Sequence, residues 1–257
     1  MNRRTFLASS ALAAPLAHQV AFGAGGSRAP QYFELRKYHL LYGSKQRDLH
    51  DFLGEVALPA FNRIGIDPVG VFTVAYGPNS PSVYLLLPHP DLASVESARN
   101  RLAEDQVYVE SGADFLKRPL SDPSYVRYES SLMKAFDGMQ TVETPIDTDG
   151  RIFELRVYES HTDEAALRKI EMFNNGEIPI FREVGLHPVF FAETLIGEKL
   201  PNLTYMLAFE NMAERDAAWE RFIDHPDWKA LSADSYYAES VSAITDFILR
   251  PTAYSQV

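Results

Sequence analysis

Residues 33–77 and 153–197 repeat one another at a constant offset of 120. Phe33-Glu34-Leu35-Arg36 returns as Phe153-Glu154-Leu155-Arg156, Tyr38 as Tyr158, Pro59 as Pro179, Phe61 as Phe181, Gly65 as Gly185 and Gly77 as Gly197. Over 33–38 and 59–69, ten of seventeen positions are identical, where average residue usage gives about one. An unbroken offset over this length is a duplicated supersecondary unit. Its period is too long, and its copies too few, for a solenoid or propeller. Two similar half-barrels in one chain is the reading that fits.

The chain has 257 residues, 46% apolar and 12% aromatic, enough for a large buried core. Its formal charge of −11 repels nucleic acid and anionic lipid, so neither is expected as a partner. There is no cysteine, which excludes disulfides, thiol nucleophiles and thiolate-held metals or clusters. Asn2-Arg3-Arg4-Thr5-Phe6-Leu7, an Ala/Leu-rich stretch to Val20 and small residues at Ala21-Phe22-Gly23 form a twin-arginine signal pattern. The expectation is a signal peptide over 1–23, export in the folded state, and a periplasmic or extracytoplasmic location. The stretch is too short and Ala-rich for a span that stays in the mature protein.

Residues 32–39 alternate with period two and read as a strand. A helix follows over 44–64 with a break near Pro59, which lacks an amide donor, and Gly65 ends it. Strands are expected at 68–76 and 82–87 around the turn 77–81. A broken helix from 91 to about 116 and a strand at 125–136 complete the unit. Residues 137–150 are the linker, and the order restarts. It runs strand 152–159, a helix capped by Thr162 and ended by Gly185, strands 188–196 and 203–209, a helix opened by the capping box Asn211 to Glu214, a restart at His225-Pro226, and a last strand at 239–249. The two units, 32–136 and 151–251, are each β-α-β-β-α-β. The fold class is α+β, two tandem ferredoxin-like repeats forming an intrachain barrel.

Phe33 and Leu35 suit the face covered by helices, as do Phe153 and Leu155. Glu34, Arg36 and Tyr38, with Glu154, Arg156 and Tyr158, then face the other sheet and line a barrel lumen. Glu and Arg two apart on one strand lie side by side, and burial makes their pairing close to obligatory. In one reading the pairs are a buried network that fixes register and binds nothing, which retention in both copies favours. In the other the lumen is a pocket and these groups orient a ligand. Tyr84 and Tyr205 start matching strands and are candidates for the same lumen, although their offset is 121 rather than 120. The histidines show no metal-ligand spacing, so no metal site is expected. His89 and His225 precede prolines in turns. One residue suffices as an axial haem ligand, and His39, at the end of a central strand, is the candidate. Trp219 and Trp228 sit at helical spacing with Phe222 and Leu231 as a core stripe.

The strand Phe-Glu-Leu-Arg-x-Tyr and the later Pro-x-Phe-x-x-x-Gly-hydrophobic-x-Pro-Val, each present twice, resemble the NIPSNAP family. The resemblance implies a fold similar to dimeric α+β-barrel proteins, with the tandem copies supplying both halves. The first copy departs from the second in its second helix, where Trp219 has no counterpart and 99–106 is more polar. That weakens the expectation of a second, equivalent site. The wider barrel superfamily includes cofactor-free monooxygenases, haem peroxidases and isomerases, so fold-level analogy leaves activity open.

The leading expectation is an exported protein that binds a small aromatic or anionic molecule in the lumen, with Arg36 and Arg156 as anion partners, no required cofactor, and no assigned catalytic residue. A haem-dependent or cofactor-free oxygenase or peroxidase, using Tyr38 or Tyr158 as acid/base, is the alternative. A structural or interaction module, capable of self-association, is the third.

Overall fold

A computed structural model describes residues 30–40, 43–77 and 80–257. The signal pattern over 1–23, and part of the turn at 77–81, lie outside them. Eight strands form one closed antiparallel barrel. They are β1 (Tyr32–His39), β2 (Gly70–Tyr76), β3 (Ser82–His89), β4 (Arg127–Ala135), β5 (Ile152–Glu159), β6 (His187–Ile196), β7 (Asn202–Phe209) and β8 (Ala243–Pro251). Their order around the barrel is β1-β3-β2-β8-β5-β7-β6-β4. Each repeat contributes four strands with its β1 or β5 in the middle. The repeats join where β2 pairs β8 and β4 pairs β6, so every sheet edge is closed.

The helices lie outside the barrel. In the first repeat they are α1 (Ser44–Phe52), α2 (Leu58–Arg63), α3 (Leu92–Glu104), α4 (Gln106–Ser111) and α5 (Ala113–Leu116). In the second they are α6 (Asp163–Met172), α7 (Ile178–Val184), α8 (Met212–Asp224) and α9 (Pro226–Ser232). The break expected near Pro59 takes the form of a π-helical turn, Leu53–Ala57, between α1 and α2, and the second copy repeats it at Phe173–Glu177 before Pro179. A wider turn absorbs the donor that proline lacks without ending the helix. Gly65 and Gly185 close these helices at φ +76° and +82°, a conformation that favours glycine. The last strand begins at Ala243, later than expected, and Glu239 ahead of it takes a φ of +56°, which extended backbone does not have.

Which face meets which layer differs from the sequence expectation. The barrel interior is filled by Phe33, Phe72, Phe153, Phe190, Met206 and Leu249, drawn from both repeats, with Leu35 and Leu155 beside them. Phe33 and Leu35 therefore point into the lumen. Glu34, Arg36, Tyr38 and their copies point outward, under the helices. An eight-stranded barrel has an interior that side chains can fill, and here rings and aliphatic chains from both repeats fill much of it. The charged pairs sit where strands and helices can bring them hydrogen-bonding partners. The linker packs Val142 and Ile146 against this interior, as does Val257. No helix among the described residues is long and apolar enough to cross a membrane.

Candidate functional site

Each repeat holds its Glu–Arg–Tyr set between sheet and helices, and the two sets end differently. In the second repeat Glu154 is fully buried. It accepts hydrogen bonds from Arg156 Nη1 at 2.7 Å, from Arg215 Nε and Nη2 at 2.9 and 2.7 Å, and from Trp219 Nε1 at 2.8 Å. The Arg156 guanidinium lies 4.6 Å from the Trp219 ring centroid and 5.5 Å from that of Tyr158. Tyr205 donates to the Tyr158 hydroxyl at 2.8 Å. Burial raises both phenols, well above the usual range for Tyr205. Trp219 and Trp228 pack on the core, as their spacing suggests, but the Trp219 N–H is also a structural donor.

In the first repeat Glu34 accepts from Arg36 Nε and Nη2, both at 2.9 Å, and from Ser130 Oγ at 2.7 Å. Burial would raise this carboxyl, but the Arg36 charge and the hydrogen bonds from Arg36 and Ser130 outweigh it and hold it below its ordinary value. The guanidinium lies 5.0 Å from the Tyr128 ring and 6.0 Å from Phe61. Beside this pair is a cavity of about 590 Å³, walled by Tyr38, Tyr108, Tyr125, Tyr128, Phe52 and Phe115 and reached also by His89 and Arg99. That volume is typical of small-molecule sites. Burial pushes the Tyr108 phenol up to about 12.

The difference traces to the second helix of each unit. Asp91 Oδ1 caps α3 by accepting from Ser94 N, and Asn211 Oδ1 caps α8 by accepting from Glu214 N. The 120-residue offset therefore continues through these helices. It sets Val95 opposite Arg215, Arg99 opposite Trp219 and His89 opposite Phe209. The first copy thus lacks the arginine and the indole that close the second, and space remains. The missing tryptophan, which counted against a site in this copy, is what opens one.

His89 was expected in a turn. It is instead the last residue of β3, fully buried, and it lines the cavity. Its Nδ1 lies 3.0 Å from Ser94 Oγ, while Nε2 has no hydrogen-bond partner among the described residues. Burial lowers its basicity against the pull of Glu34, with Arg36 acting in the same direction as burial and Asp91 opposing it, so the ring is neutral near pH 7. Arg99, at the rim, is exposed and makes no ion pair among the described residues. Sequence signals for both existed: each sits where the other copy has a large aromatic residue.

The lumen candidates divide. Tyr84 does face the barrel interior, and Tyr205 faces the helices. Their offset of 121 is an odd step, and one residue reverses a strand's face. Tyr84 lines a smaller void of about 320 Å³ at one barrel mouth, with Leu35, Met133, Leu155 and Phe247 as its floor. Several of the polar groups there pair with one another. Lys37 is 2.5 Å from Glu129, and Thr194 and Thr204 donate to Asn202 at 2.6 and 3.3 Å. His39 stands near this mouth with Nε2 2.9 Å from Glu129 Oε1. The ring nitrogen that an axial iron would take thus has a carboxylate beside it. No group of three or more His, Asp or Glu side chains placed to hold a metal occurs among the described residues.

Among curated proteins none matches the sequence. Solved structures share the fold. A protein of Fusobacterium nucleatum provisionally assigned as a monooxygenase has a TM-score of 0.56 at 8% identity, covering 87% of this chain and 93% of its own. One from Lactobacillus acidophilus with the same assignment has 0.56 at 10%, covering 86% and 94%. An uncharacterised NIPSNAP-like domain protein of Burkholderia xenovorans covers 42% of this chain and 90% of its own at 20% identity and a TM-score of 0.38. The NIPSNAP family profile matches twice, over residues 33–121 and 153–256. With both copies of the Glu–Arg–Tyr unit inside those matches, this chain is a member of the NIPSNAP family carrying two of its domains.

Proposed function

We propose that this two-domain NIPSNAP protein binds a small aromatic molecule carrying an anionic group, in the sheet–helix cavity of its first repeat. The observation that carries this reading is the cavity of about 590 Å³ beside the Glu34–Arg36 pair, walled by tyrosine and phenylalanine rings, with the buried His89 in its lining. The tyrosine and phenylalanine walls suit a flat ring. Glu34 and Arg36 cancel each other's charge, leaving Arg99 as the cation at the rim, which favours an anion. A role as oxygenase would rest on shared fold at 8–10% identity, and is carried no further.

Titration calorimetry with 1-naphthoate tests the site. Saturable binding is expected, weakened up to about fivefold by Arg99→Gln, as befits a rim charge worth under about 1 kcal/mol. His89→Phe, which installs the second repeat's residue, should remove most of it while the unfolding curve stays cooperative. Binding that ignores both substitutions would place the ligand elsewhere.

The same proposal places the protein outside the cytoplasm, supported by Arg3-Arg4 and the apolar stretch that follows. Arg3→Lys/Arg4→Lys is expected to retain the chain in the cytoplasm on cell fractionation. Unchanged export would remove the twin-arginine route.

A further inference from the structure

We infer that the ligand of the first repeat is a fused-ring heteroaromatic with a ring N–H, lying against Arg36 and donating that N–H to Glu34. This deepens the reading just given, and rests on it. The second repeat supplies the template. There the place of the ligand is taken by the chain itself: the Trp219 indole lies 4.6 Å from the Arg156 guanidinium and its Nε1 donates to Glu154 at 2.8 Å. The first repeat keeps the same guanidinium and carboxylate. It has Val95 and Arg99 where the second has Arg215 and Trp219, and a cavity there. Glu34 accepts from Arg36 and Ser130, whereas Glu154 accepts from two arginines and an indole. Each carboxylate oxygen has two lone-pair directions, so Glu34 can take a further donor where Glu154 already has one. A planar ring entering there joins the Tyr128 and Phe61 rings, 5.0 and 6.0 Å away, in packing around the Arg36 cation.

The test compares indole-3-carboxylate with benzofuran-3-carboxylate, which keeps the shape and charge but replaces N–H by an ether oxygen. Calorimetry on the full chain should show the indole binding roughly tenfold to a hundredfold tighter, the range for a hydrogen bond to a charged acceptor. The double variant Val95→Arg/Arg99→Trp rebuilds the second repeat's plug in the first. It should abolish binding of both probes, with a urea midpoint no lower than the parent's. Equal affinity for the two probes overturns the N–H assignment and leaves the aromatic site standing. Failure of both probes to bind the parent overturns the site itself. A folded plug variant that still binds indole-3-carboxylate at parental affinity shows that the ligand does not occupy the tryptophan's place, and also overturns the inference.

Discussion

Glu154→Ala is expected to lower the unfolding free energy by about 3–5 kcal/mol, the cost of breaking a buried ion pair from one side. The carboxylate is fully buried and receives donors from Arg156, Arg215 and Trp219. Arg215 can turn outward to water. Arg156 cannot easily do so, held as it is between the rings of Trp219 and Tyr158. Against a typical stability of about 5–15 kcal/mol, the loss is large, and urea unfolding with an unchanged m-value measures it. Glu34→Ala should cost less, about 1–3 kcal/mol, because water in the adjoining cavity can solvate Arg36. Equal losses in the two repeats would mean that the first is as closed as the second, and the cavity argument would fail with it.

Lys169→Met should be comparably severe, about 3–5 kcal/mol at pH 8, and its size should depend on pH. Lys169 and Glu177 are both buried and bonded to each other, with the ammonium 4.8 Å from the Phe173 ring and 5.6 Å from Trp228. Burial raises the Glu177 carboxyl above its ordinary value even against the Lys169 charge, and without that charge it rises further. A carboxyl raised in the folded state holds its proton better folded than unfolded. Its favourable contribution is present below the unfolded value and is lost as pH rises through the folded one. The deficit of the variant should therefore shrink on going from pH 8 to pH 5, by about 1.4 kcal/mol for each unit of additional shift. Lys169→Met/Glu177→Gln should recover much of the stability. A deficit that is the same at both pH values would show that Glu177 does not carry the effect.

The contrast between the repeats shows how a duplicated motif can be closed in one copy and open in the other. In the second, four donors close on Glu154 and the set is part of the core. In the first, two substitutions on α3 and one on β3 open a cavity beside the same ion pair. Retention of Glu–Arg–Tyr in both copies therefore does not choose between the two readings. The residues that differ at matched positions carry the information, and they were readable: Val95 against Arg215, Arg99 against Trp219 and His89 against Phe209.

The amino-acid sequence by itself determined the duplication, the order of elements, the glycine-ended helices and the caps, because each depends on local conformational preference or on identity between copies. It also determined that Glu34 and Arg36 would pair, since two residues on one strand face lie side by side. Only the tertiary structure decided which sheet face carries them. Period-two alternation separates two faces without naming them, and here both are buried, one by the opposite sheet and one by helices. The same holds for the cavity, which exists because side chains from α3, α4 and β4 converge on a place that no single segment of the chain describes.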